Sequence, residues 1–597
     1  MVAGSWSADL VVSVKLSALR QIRRRVASDE LMQSLPTDMH PVLRRVYAAR
    51  NTAADQLTYS LSQMFPVRTL ASAAAAAVRL ADARVGQQRV LILGDFDTDG
   101  ATATALCISC LRAMGFADVV YLVPNRIKFG YGLSPAIADE AAKLRPDLIV
   151  TVDNGISSIA GVARAKELGI DVIVTDHHLP GLKLPDAVAI VNPNLVDEPF
   201  PSKCLPGVGV AFYVLAAVGR LLAERGLITP GQSKSIVADS LDLVALGTVA
   251  DLVRLDYNNR IYVSEGLARM RSGHTRPGIR ALFTVAGRNI CTARASDLGY
   301  AIAPRLNAAG RLTDMSLGVD CLLAESDAEA LRLAKRLDAL NVERRQLQAQ
   351  METKARDFVA SATRSLADSG GGDRQDAYCL FDSNWHEGIV GLVASRIKEQ
   401  VRRPVVAFAP ADRDGLLKGS ARSIEGIHIR DLIDAIAARH PDLVGGFGGH
   451  AMAAGLTINA ERLDAFRQAF VSAVGQHTDV LSGPDPIWTD GELSSAELSL
   501  DLAEELRNGG PWGQGFPEPM FENVLQVADH RVLKNAHLKL SVSHPDGQGL
   551  TEAIAFNRTQ FPDGYDGSLV KLVYRLDVNE YRNRRTAQLV VEHMQSA

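Results

Sequence analysis

Three short motifs contain the residues whose types and spacing could do chemistry. Residues 94–100 read Gly-Asp-Phe-Asp-Thr-Asp-Gly, residues 153–155 read Asp-Asn-Gly, and residues 176–178 read Asp-His-His. So many carboxylates in one place would repel one another unless cations neutralised them. Aspartate oxygens with an imidazole suit Mn²⁺ or Mg²⁺, and a pair of such ions can activate water for phosphoryl hydrolysis. The motifs therefore predict a two-metal hydrolase, provided that the fold brings them together.

The alternation of strands and helices explains how the motifs could meet. Short β-rich runs are predicted at 90–93, 119–123, 148–152, 172–175 and 188–191, and helices at 101–114, 134–144 and 157–168. Nearly continuous apolar strands separated by helices are typical of an α/β fold with a doubly wound parallel sheet. The carboxyl ends of parallel strands share one edge, where ligand crevices form. Each motif directly follows a predicted strand, so we expect five Asp and two His at one crevice.

Other readings of the first motif are weaker. Its Asp-x-Asp-x-Asp-Gly pattern also matches the start of an EF-hand calcium loop, which needs a bidentate Glu at its twelfth position. Counted from Asp95, the twelfth residue is Leu106, and a strand rather than a helix precedes the motif. The calcium-loop interpretation is therefore rejected. Zinc is a less favoured alternative to Mn²⁺ or Mg²⁺, because the motifs contain no Cys.

Composition limits the class of protein without deciding its function. A chain of 597 residues is too long for one hydrophobic core, so three to five domains are expected. The formal net charge of −4 argues against indiscriminate nucleic-acid binding but allows a local basic channel. We find no apolar run long enough for a membrane span and no secretory signal at the N-terminus. Six cysteines form no disulfide framework, and the Cys107-x-x-Cys110 pair lies in an apolar helix, so we expect a cytoplasmic protein.

Changes in pattern predict five units along the chain. Residues 327–367 contain neither Pro nor Gly and predict one helix, with a capping box of Ser326 and Glu329 at its start and a glycine joint at 370–372. The last hundred residues contain short alternating runs that are typical of a small β-barrel. In the N-terminal region, the cluster of Arg20, Arg23, Arg24 and Arg25 is expected to be a solvated face. The predicted units are 1–75, helical; 76–315, the α/β catalytic domain; 316–370, the connecting helix; 371–482, a second α/β domain; and 483–597, the barrel.

The motifs resemble those of the DHH phosphoesterase superfamily, which is named for a triplet like the one at 176–178. Four family motifs occur in the expected order, at 94–100, 151–156, 175–178 and 247–251. The resemblance covers nearly the whole chain. Within the superfamily it is to the single-strand-specific 5′→3′ DNA exonucleases, whose C-terminal domain is an oligonucleotide-binding (OB) fold. It implies two-metal hydrolysis of phosphodiester bonds from a 5′ end, with release of mononucleotides, in DNA recombination and repair.

The resemblance also implies roles for individual residues. Asp153 would bridge two divalent cations, Mn²⁺ or Mg²⁺, and the other metal ligands would be Asp97 at one site and Asp99, His177 and Asp251 at the other. The catalytic residues Asp95 and His178 would respectively support the cluster and lie near the scissile phosphate. Leu93 stands where some relatives carry a His. This departure implies that one metal is held weakly and joins with the substrate.

A second set of residues could hold the 5′-terminal phosphate. The second α/β domain resembles the DHH-associated domain, with Gly-Gly-Phe-Gly-Gly-His at 445–450. Glycines let backbone N–H groups approach a phosphate, and hydroxyl, imidazole and guanidinium groups can donate to one. A fixed 5′ end would set the direction of cleavage. The candidates are Arg305, Asn307, Arg311, Ser420, Arg422, Gly448, Gly449 and His450.

Three further patterns give weaker signals. Residues 510–516 and 581–585 interleave aromatic and basic side chains and favour binding of single strands; the alternative is that Trp512 and Phe516 are core residues. Residues 206–209, Pro-Gly-Val-Gly, are similar to a dinucleotide-binding loop, but no strand leads into them, so no function is assigned. Residues 385–390 begin like a zinc-protease helix but lack its second His, so packing is the expected role.

Alternative functions remain at this point. A DHH phosphodiesterase acting on very short oligonucleotides or cyclic dinucleotides would not need the barrel or the N-terminal region. A catalytically dead scaffold would have lost the acidic motifs, which are present here, and an inorganic pyrophosphatase would have no use for the connecting helix. The resemblance implies single-stranded DNA, single-strand-binding protein and a RecQ-type helicase as partners, with no membrane and a monomeric protein.

Overall fold

The structure, a computed structural model, describes residues 21–125, 131–368, 375–412, 415–482, 486–547, 549–562, 565, 567, 569–581 and 584–597. The glycine joint predicted at 370–372 lies outside these residues, as does Arg20.

The N-terminal region is only partly helical. It contains strand β1 (Ile22–Arg24), helices α1 (Asp29–Ser34) and α2 (Pro41–Ala48), and 3₁₀ turns at Ala54–Gln56, Leu61–Gln63 and Val67–Thr69. The expectation of a solvated arginine face is correct for Arg24, whose side chain is 55% exposed, and wrong for Arg25, whose side chain is 21% exposed. Arg24 pairs with Glu522 at 2.6 Å and Arg25 pairs with Asp490 at 3.3 Å, because β1 lies beside a C-terminal strand and brings their charges to these carboxylates.

A five-stranded parallel sheet forms the centre of the first lobe, as predicted. Its strands lie in the order β3-β2-β4-β5-β6, and residues of both faces are buried. Val90 and Ile92 pack on one side and Leu91 and Leu93 on the other, which explains the nearly unbroken apolar strands. The elements are β2 (Arg89–Gly94), β3 (Asp118–Leu122), β4 (Leu148–Val152), β5 (Asp171–Thr175), β6 (Ala189–Val191), α3 (Ala73–Val85), α4 (Thr98–Ala113), α5 (Pro135–Ala142) and α6 (Ile159–Glu167).

A helical layer completes the first lobe. Among the described residues, helix α7 is long and apolar enough to cross a membrane by length and composition; it is 67% buried inside the fold and packs against α3 and α4, which makes it a core helix. The helices are α7 (Gly207–Glu224), α8 (Pro230–Ala238), α9 (Leu241–Ala250), α10 (Tyr257–Arg271), α11 (Pro277–Val285), α12 (Ala295–Asp297), α13 (Ala303–Leu312) and α14 (Ser316–Leu323), with a 3₁₀ turn at Ile290–Thr292 and a π turn at Leu298–Ile302.

One long helix, α15 (Asp327–Asp368), joins the two lobes as expected. The Ser326 hydroxyl accepts a hydrogen bond from the Glu329 N–H at 3.3 Å, which is one half of the predicted capping box. Leu337 belongs to the core of the first lobe and Met351 to a core cluster of the second. The helix is therefore a shared strut between two separate hydrophobic cores.

The second lobe is a mixed five-stranded sheet in the order β10-β11-β9-β8-β7. Only β7 and β8 run parallel, and the other neighbours are antiparallel. The glycine run at 446–449 forms the edge strand of this sheet. The elements are β7 (Tyr378–Phe381), β8 (Val405–Pro410), β9 (Leu416–Arg422), β10 (Gly446–Gly449), β11 (Ala453–Asn459), α16 (Val390–Val401), α17 (Ile429–Arg439), α18 (Leu463–Gly475) and α19 (Thr478–Ser482), with a 3₁₀ turn at Ala460–Arg462.

The C-terminal strands close into the predicted barrel, in the order β13-β14-β15-β17-β16. Before it, β12 pairs with β1 in parallel. Barrel residues and first-lobe residues belong to one continuous hydrophobic cluster. The elements are β12 (Ile487–Thr489), α20 (Leu500–Asn508), β13 (Phe521–Leu533), β14 (His537–Ser543), β15 (Leu550–Ala555), β16 (Leu569–Tyr581) and β17 (Arg584–Ser596), with a 3₁₀ turn at Ser495–Glu497.

The aromatic residues predicted to bind single strands at 510–516 are packing residues instead. Phe516 is buried, and its ring stacks on Trp512 with centroids 5.0 Å apart. Tyr47 stacks on both rings, and the Trp512 indole N–H donates to the Leu506 carbonyl at 2.9 Å. The core alternative is therefore correct for this segment. Of the second predicted segment, 582 and 583 lie outside the described residues.

Candidate metal centre

The carboxyl ends of three strands deliver acidic and imidazole groups to one edge of the first sheet. Three sets of side chains have ligand atoms within 4.8 Å of one another. The expectation that the motifs meet is thus confirmed, whereas the role of each residue as a ligand stays a prediction. The sets are Asp95, Asp97 and Asp153; Asp99, His177 and Asp251; and Asp153, His177 and His178.

Three buried atoms at the centre of this cluster lack hydrogen-bond donors. The His177 Nε2 atom lies 3.1 Å from Asp153 Oδ1 and 3.5 Å from Asp251 Oδ2. Among the described residues, none of these three atoms has a hydrogen-bond partner. Leaving buried polar atoms unpaired costs free energy, and a cation between them would supply what is missing. The arrangement therefore fits a divalent metal.

The electrostatics of the cluster point the same way. Burial, followed by the charges of the neighbouring carboxylates, raises the pKa values of Asp153 and Asp251 well above the ordinary range. Burial and Asp97 raise the pKa of Asp99 to about 7. Burial and His178 lower the pKa of His177 to about 3, which leaves a neutral imidazole, the form that binds metals. A bound cation would relieve the repulsion among the carboxylates.

Helix α7 holds Asp99, a relationship that the sequence did not reveal. The backbone N–H groups of Gly207 and Val208 donate to the two Asp99 carboxylate oxygens at 2.6 and 3.0 Å. A Cβ atom on Gly207 would lie 2.5 Å from the Cβ of Asp153. The sequence indicated only a dinucleotide-binding loop at 206–209, which was rejected, and this role beside Asp99 was missed. The glycine lets the helix N-terminus approach two carboxylates at once, where its N–H groups favour negative charge.

The first motif is organised by helix α4 and by Asn307. Asp97 caps the helix, since its Oδ1 accepts from the N–H groups of Asp99 and Gly100 at 2.9 and 3.1 Å. The Asn307 Oδ1 atom accepts from the Thr98 N–H at 2.8 Å and from the Thr98 hydroxyl at 2.9 Å. The structure thus places Asn307 against the first acidic motif, residues 94–100, and its hydrogen bonds to Thr98 hold this loop in position.

The backbone of Asp153 has a left-handed conformation, with φ of 63°. Such a conformation is unfavourable for a residue other than glycine and is typical of functional sites. Its N–H donates to the Thr175 carbonyl at 3.1 Å, and its own carbonyl accepts from the Tyr131 hydroxyl at 3.0 Å. Both neighbouring segments therefore hold the carboxylate at the centre of the cluster.

Asp176, expected among the crevice carboxylates, instead organises the triplet. Its Oδ1 accepts from the N–H groups of His177 and His178, and its Oδ2 accepts from that of Ile156 at 2.9 Å. The same Oδ1 lies 2.7 Å from His178 Nδ1. Burial opposes ionisation of both side chains, but their mutual contact raises the pKa of His178 and lowers that of Asp176. The pair fixes the orientation of the His178 ring.

Three positioning residues were missed in the sequence. The Tyr131 hydroxyl lies 3.1 Å from His178 Nδ1. The side-chain amides of Asn192 and Asn194 donate to the carbonyls of His178 and His177 at 2.8 and 2.6 Å. The two asparagines directly follow β6, so the strand-end argument that found the other motifs could have found them. No local signal marks Tyr131.

The second lobe reaches the metal centre through His450. Its ring stacks on that of His178, with centroids 5.5 Å apart and an angle of 15° between the planes. Burial and His178 lower the pKa of His450. Gly449, which precedes it, has φ of 147°, whereas a Cβ on Gly448 would meet nothing within 4 Å. The edge strand therefore exposes bare backbone beside His450.

Ser420 and Arg422 lie together on β9, beneath the start of helix α16. The Arg422 Nη1 donates to the Ser420 hydroxyl at 2.9 Å. A Cβ on Gly391, in the first turn of that helix, would lie 2.8 Å from Arg422 Nη2 and 3.0 Å from the Ser420 hydroxyl oxygen. These are donors suited to a phosphate, and their role as such stays a prediction.

Arg305 and Arg311 already bind protein groups. Arg305 pairs with Asp338 of the connecting helix at 2.9 Å and donates to the Ala301 carbonyl at 2.6 Å. Arg311 Nη1 donates to the Gly388 carbonyl at 3.2 Å. These contacts link the lobes and the connecting helix. Phosphate binding by the two arginines stays a prediction, and the contacts give each of them a structural role.

Comparison with known protein families finds three matching models along the chain. The DHH family N-terminal domain matches residues 89–248, the DHHA1 domain matches 375–476, and the RecJ OB domain matches 489–593. The three ranges coincide with the parallel-sheet lobe, the mixed-sheet lobe and the barrel region. Nearly the full architecture is therefore similar to known domains.

Full-length similarity extends to curated and solved proteins. The chain is 49% identical, over 589 residues, to the single-stranded-DNA-specific exonuclease RecJ of Dickeya dadantii, covering 97% of this chain and 100% of that protein. The crystal structure of RecJ from Thermus thermophilus in complex with Mn²⁺ matches with a TM-score of 0.79 and 27% identity, over 97% of this chain and 80% of that one. The Mg²⁺ complex of the same protein matches with a TM-score of 0.73 and 26% identity, over 97% and 79%.

Proposed function

This chain belongs to the RecJ family of single-stranded-DNA-specific exonucleases, and we propose that it removes 5′-mononucleotides from the 5′ end of single DNA strands by two-metal hydrolysis. It is a metal-dependent nuclease that acts in DNA recombination and repair.

The observation that carries the mechanism is the sharing of Asp153 between the metal-binding sets. One set joins it to Asp95 and Asp97, and another joins it to His177, which also belongs to the set of Asp99 and Asp251. A carboxylate common to two adjacent sites is the geometry by which two cations are held as a pair. Asp95 would then be a ligand as well as a support. The relatives of known structure bind Mn²⁺ and Mg²⁺, and oxygen donors with one imidazole suit both ions.

The residues of the site have two proposed roles in hydrolysis, which are to hold the cations and to contact the phosphate. When bound, the two cations lower the pKa of a water molecule and neutralise charge on the leaving oxygen. Asp99, His177 and Asp251 would hold one ion, and Asp95 and Asp97 would hold the other, with Asp153 shared between them. His178, kept in its orientation by Asp176, presents its remaining ring nitrogen to the phosphate. The contact with Asp176 raises the pKa of His178, and in its protonated form the ring would donate a hydrogen bond to a phosphate oxygen.

The direction of cleavage follows from a phosphate held beside the metals. Ser420, Arg422 and His450, with the backbone of Gly448 and Gly449, supply donors on the second lobe. Asn307, Arg305 and Arg311 complete the predicted set on the first lobe. The stacking of His450 on His178 supports the assignment of His450, because it places this residue next to the catalytic edge. A 5′-terminal phosphate bound there would present the first internucleotide bond to the metals.

The match of the barrel region to the RecJ OB domain supports binding of single-stranded DNA by the barrel, beyond the cleaved end. We propose a monomeric enzyme of the cytoplasm that works with single-strand-binding protein and with a RecQ-type helicase, which would supply the single strands. Co-sedimentation with each purified partner would test these two contacts.

Digestion of end-modified strands tests the function. With Mn²⁺, the wild type should release mononucleotides from 5′-phosphorylated single strands whose 3′ end is blocked. Asp153→Asn should be inactive, whereas Asp197→Asn, at an exposed carboxylate, should be as active as the wild type. Loss of wild-type activity on the 3′-blocked strand would refute the polarity, and an active Asp153→Asn would refute the metal mechanism.

A further inference from the structure

The middle of the connecting helix α15 crosses the space between the two lobes. Leu337 is the last residue of the helix that is buried in the first core, Leu340 still packs against that core, and Met351 is the first that is buried in a core cluster of the second lobe. Leu340 and Met351 are eleven positions apart, or about 16 Å along the helix. Asn341, Arg344 and Gln348 lie between Leu337 and Met351 at steps of three or four, so they lie on the same stripe of the helix.

Arg344 is a half-buried cation without a carboxylate partner. Its Nη2 donates to Asn341 Oδ1 at 2.6 Å, and its Nη1 donates to Gln348 Oε1 at 2.7 Å. Across the described chain it makes no ion pair within 4 Å. Glu352 is near enough to affect it, but that carboxylate already accepts from Gln348 and Arg356. Burial, followed by the charges of Arg345 and Arg396, lowers the pKa of Arg344, and the charge of Glu352 opposes this.

Such a side chain is unusual unless it has a ligand. Arginine is seldom buried without an opposite charge, since an uncompensated charge removed from water destabilises the fold. Here two neutral amides hold the guanidinium in place and leave three of its five N–H groups for other acceptors. Asn341, which is 3% exposed, is part of the same arrangement. The group is therefore oriented in advance for an anion.

The neighbours of Arg344 connect it to both sides of the proposed active site. Six residues earlier on the helix, Asp338 pairs with Arg305 of α13, and α13 also carries Asn307, which accepts hydrogen bonds from Thr98 in the first acidic motif. On the other side, Arg396 belongs to α16, whose first turn lies against Ser420 and Arg422. Arg344 thus lies on the element that spans the two sets of substrate-binding residues.

We propose that Arg344, oriented by Asn341 and Gln348, binds an internal backbone phosphate of the single strand in the cleft between the lobes. The site is distinct from the donors of the 5′-terminal phosphate. A guanidinium can donate two hydrogen bonds to one phosphate, and such a contact is independent of sequence. The proposal rests on the proposed nuclease function and adds a second anchor for the substrate, downstream of the cleaved bond.

A scan with neutral linkages tests this site. A series of 5′-phosphorylated single strands each carries one methylphosphonate at a successive position, and kcat/KM for the first cleavage is measured with Mn²⁺. In the wild type we expect a loss of about 10–100-fold at one internal linkage, as for a charged hydrogen bond. Arg344→Gln should show a similar loss on the unmodified strand and no further loss at that linkage. Arg344→Lys should retain part of the kcat/KM on the unmodified strand that Arg344→Gln loses.

Matched variants exclude a loss of folding. Arg336→Gln removes the same charge from an exposed position of the same helix and should behave as the wild type does. Gln348→Glu would place a carboxylate on the Arg344 guanidinium; it should copy the effect of Arg344→Gln without lowering the midpoint of thermal unfolding. If Arg344→Gln and Gln348→Glu keep the wild-type sensitivity at every internal linkage, or lose only the response to the 5′-terminal phosphate, the internal site is refuted. A wild type that does not cleave single strands would instead refute the nuclease function.

Discussion

His450 stacks on His178 with ring centroids 5.5 Å apart, so a residue of the second lobe contacts the triplet that carries a proposed metal ligand of the first. The two rings come from positions 272 residues apart in the chain (450 − 178). Their contact is the point at which the second lobe meets the sheet edge that carries the acidic cluster.

Removal of the His450 ring should weaken the use of substrate and leave the binding of Mn²⁺ unchanged. We expect His450→Ala to lower kcat/KM on 5′-phosphorylated strands by about 10–100-fold, because one hydrogen bond to a charged phosphate is lost. The rise in the midpoint of thermal unfolding on addition of Mn²⁺ should match that of the wild type. His440→Ala, at an exposed histidine of the same lobe, is the control. Equal activity of the two variants would contradict a substrate role for His450.

Stabilisation by metal should grow with pH. Burial and Asp97 raise the pKa of Asp99 from 3.8 to about 7. A carboxyl group whose pKa is raised on folding stabilises the protein at low pH, and that contribution is lost as the pH rises through the folded-state pKa. Without a cation, the protein therefore loses stability between about pH 4 and pH 7, whereas a bound cation favours the ionised form.

Thermal unfolding with Mn²⁺ or with a chelator measures this effect. We expect the increase in Tm caused by Mn²⁺ to be larger at about pH 8 than at about pH 6. His177, with a pKa lowered to about 3, is neutral at both values and does not contribute to the difference. An increase that is the same at the two pH values, or larger at the lower one, would show that Asp99 does not titrate in this range.

A single methyl group on Gly207 should disturb the metal centre. The Cβ of an alanine there would lie 2.5 Å from the Cβ of Asp153, so the carboxylate or the helix must move. A displacement of about 1 Å in a catalytic group can cost about 100-fold in rate. We expect Gly207→Ala to lose activity by this factor and to bind Mn²⁺ more weakly in a calorimetric titration.

The matched control is Gly231→Ala, near the start of helix α8, where a new Cβ would lie 3.9 Å from the Thr229 hydroxyl oxygen, an ordinary contact distance. It should keep full activity and equal or greater stability, since alanine favours a helix more than glycine does. Similar activities for the two alanine variants would mean that Asp153 tolerates the intrusion.

A buried ion pair should account for much of the docking between the N-terminal region and the barrel region. Arg50 and Asp490 are in contact at 2.8 Å, and their side chains are 2% and 0% exposed. Asp490→Ala would leave a buried guanidinium without its partner, so we expect a loss of about 3–5 kcal/mol in the free energy of unfolding in urea. Glu492→Gln breaks an exposed pair with Arg24 and should cost less than about 1 kcal/mol. Comparable losses in the two variants would rule out the buried pair as the main contact.

The prediction from sequence succeeded where the signal is local. The apolar runs placed strands β2 to β6 within one or two residues, because a parallel sheet covered on both faces needs nearly continuous apolar strands. The rule that such strands end at one edge then brought Asp97, Asp153 and His177 together. The same rule could have found Asn192 and Asn194, which follow β6.

The prediction from sequence failed where a residue's role depends on a contact between two segments that are far apart in the chain. The role of Trp512 and Phe516 depended on Tyr47, and the pairing of β1 with β12 joined the N-terminal region to the segment that precedes the barrel. No periodicity within either segment indicates its partner. An exposed aromatic residue and one buried by another segment look alike in sequence.

The sequence by itself determined the kinds of elements, the sheet edge and the acidic and imidazole groups that gather there, because alternation and strand ends are set by neighbouring residues. Only the tertiary structure decided how those groups are held. The first N–H group of helix α7 donates to Asp99 from 108 residues away in the chain (207 − 99). The His450 ring, which belongs to the other lobe, stacks on that of His178. Such contacts depend on which surfaces remain to be buried once each element has formed, and that is a property of the whole chain.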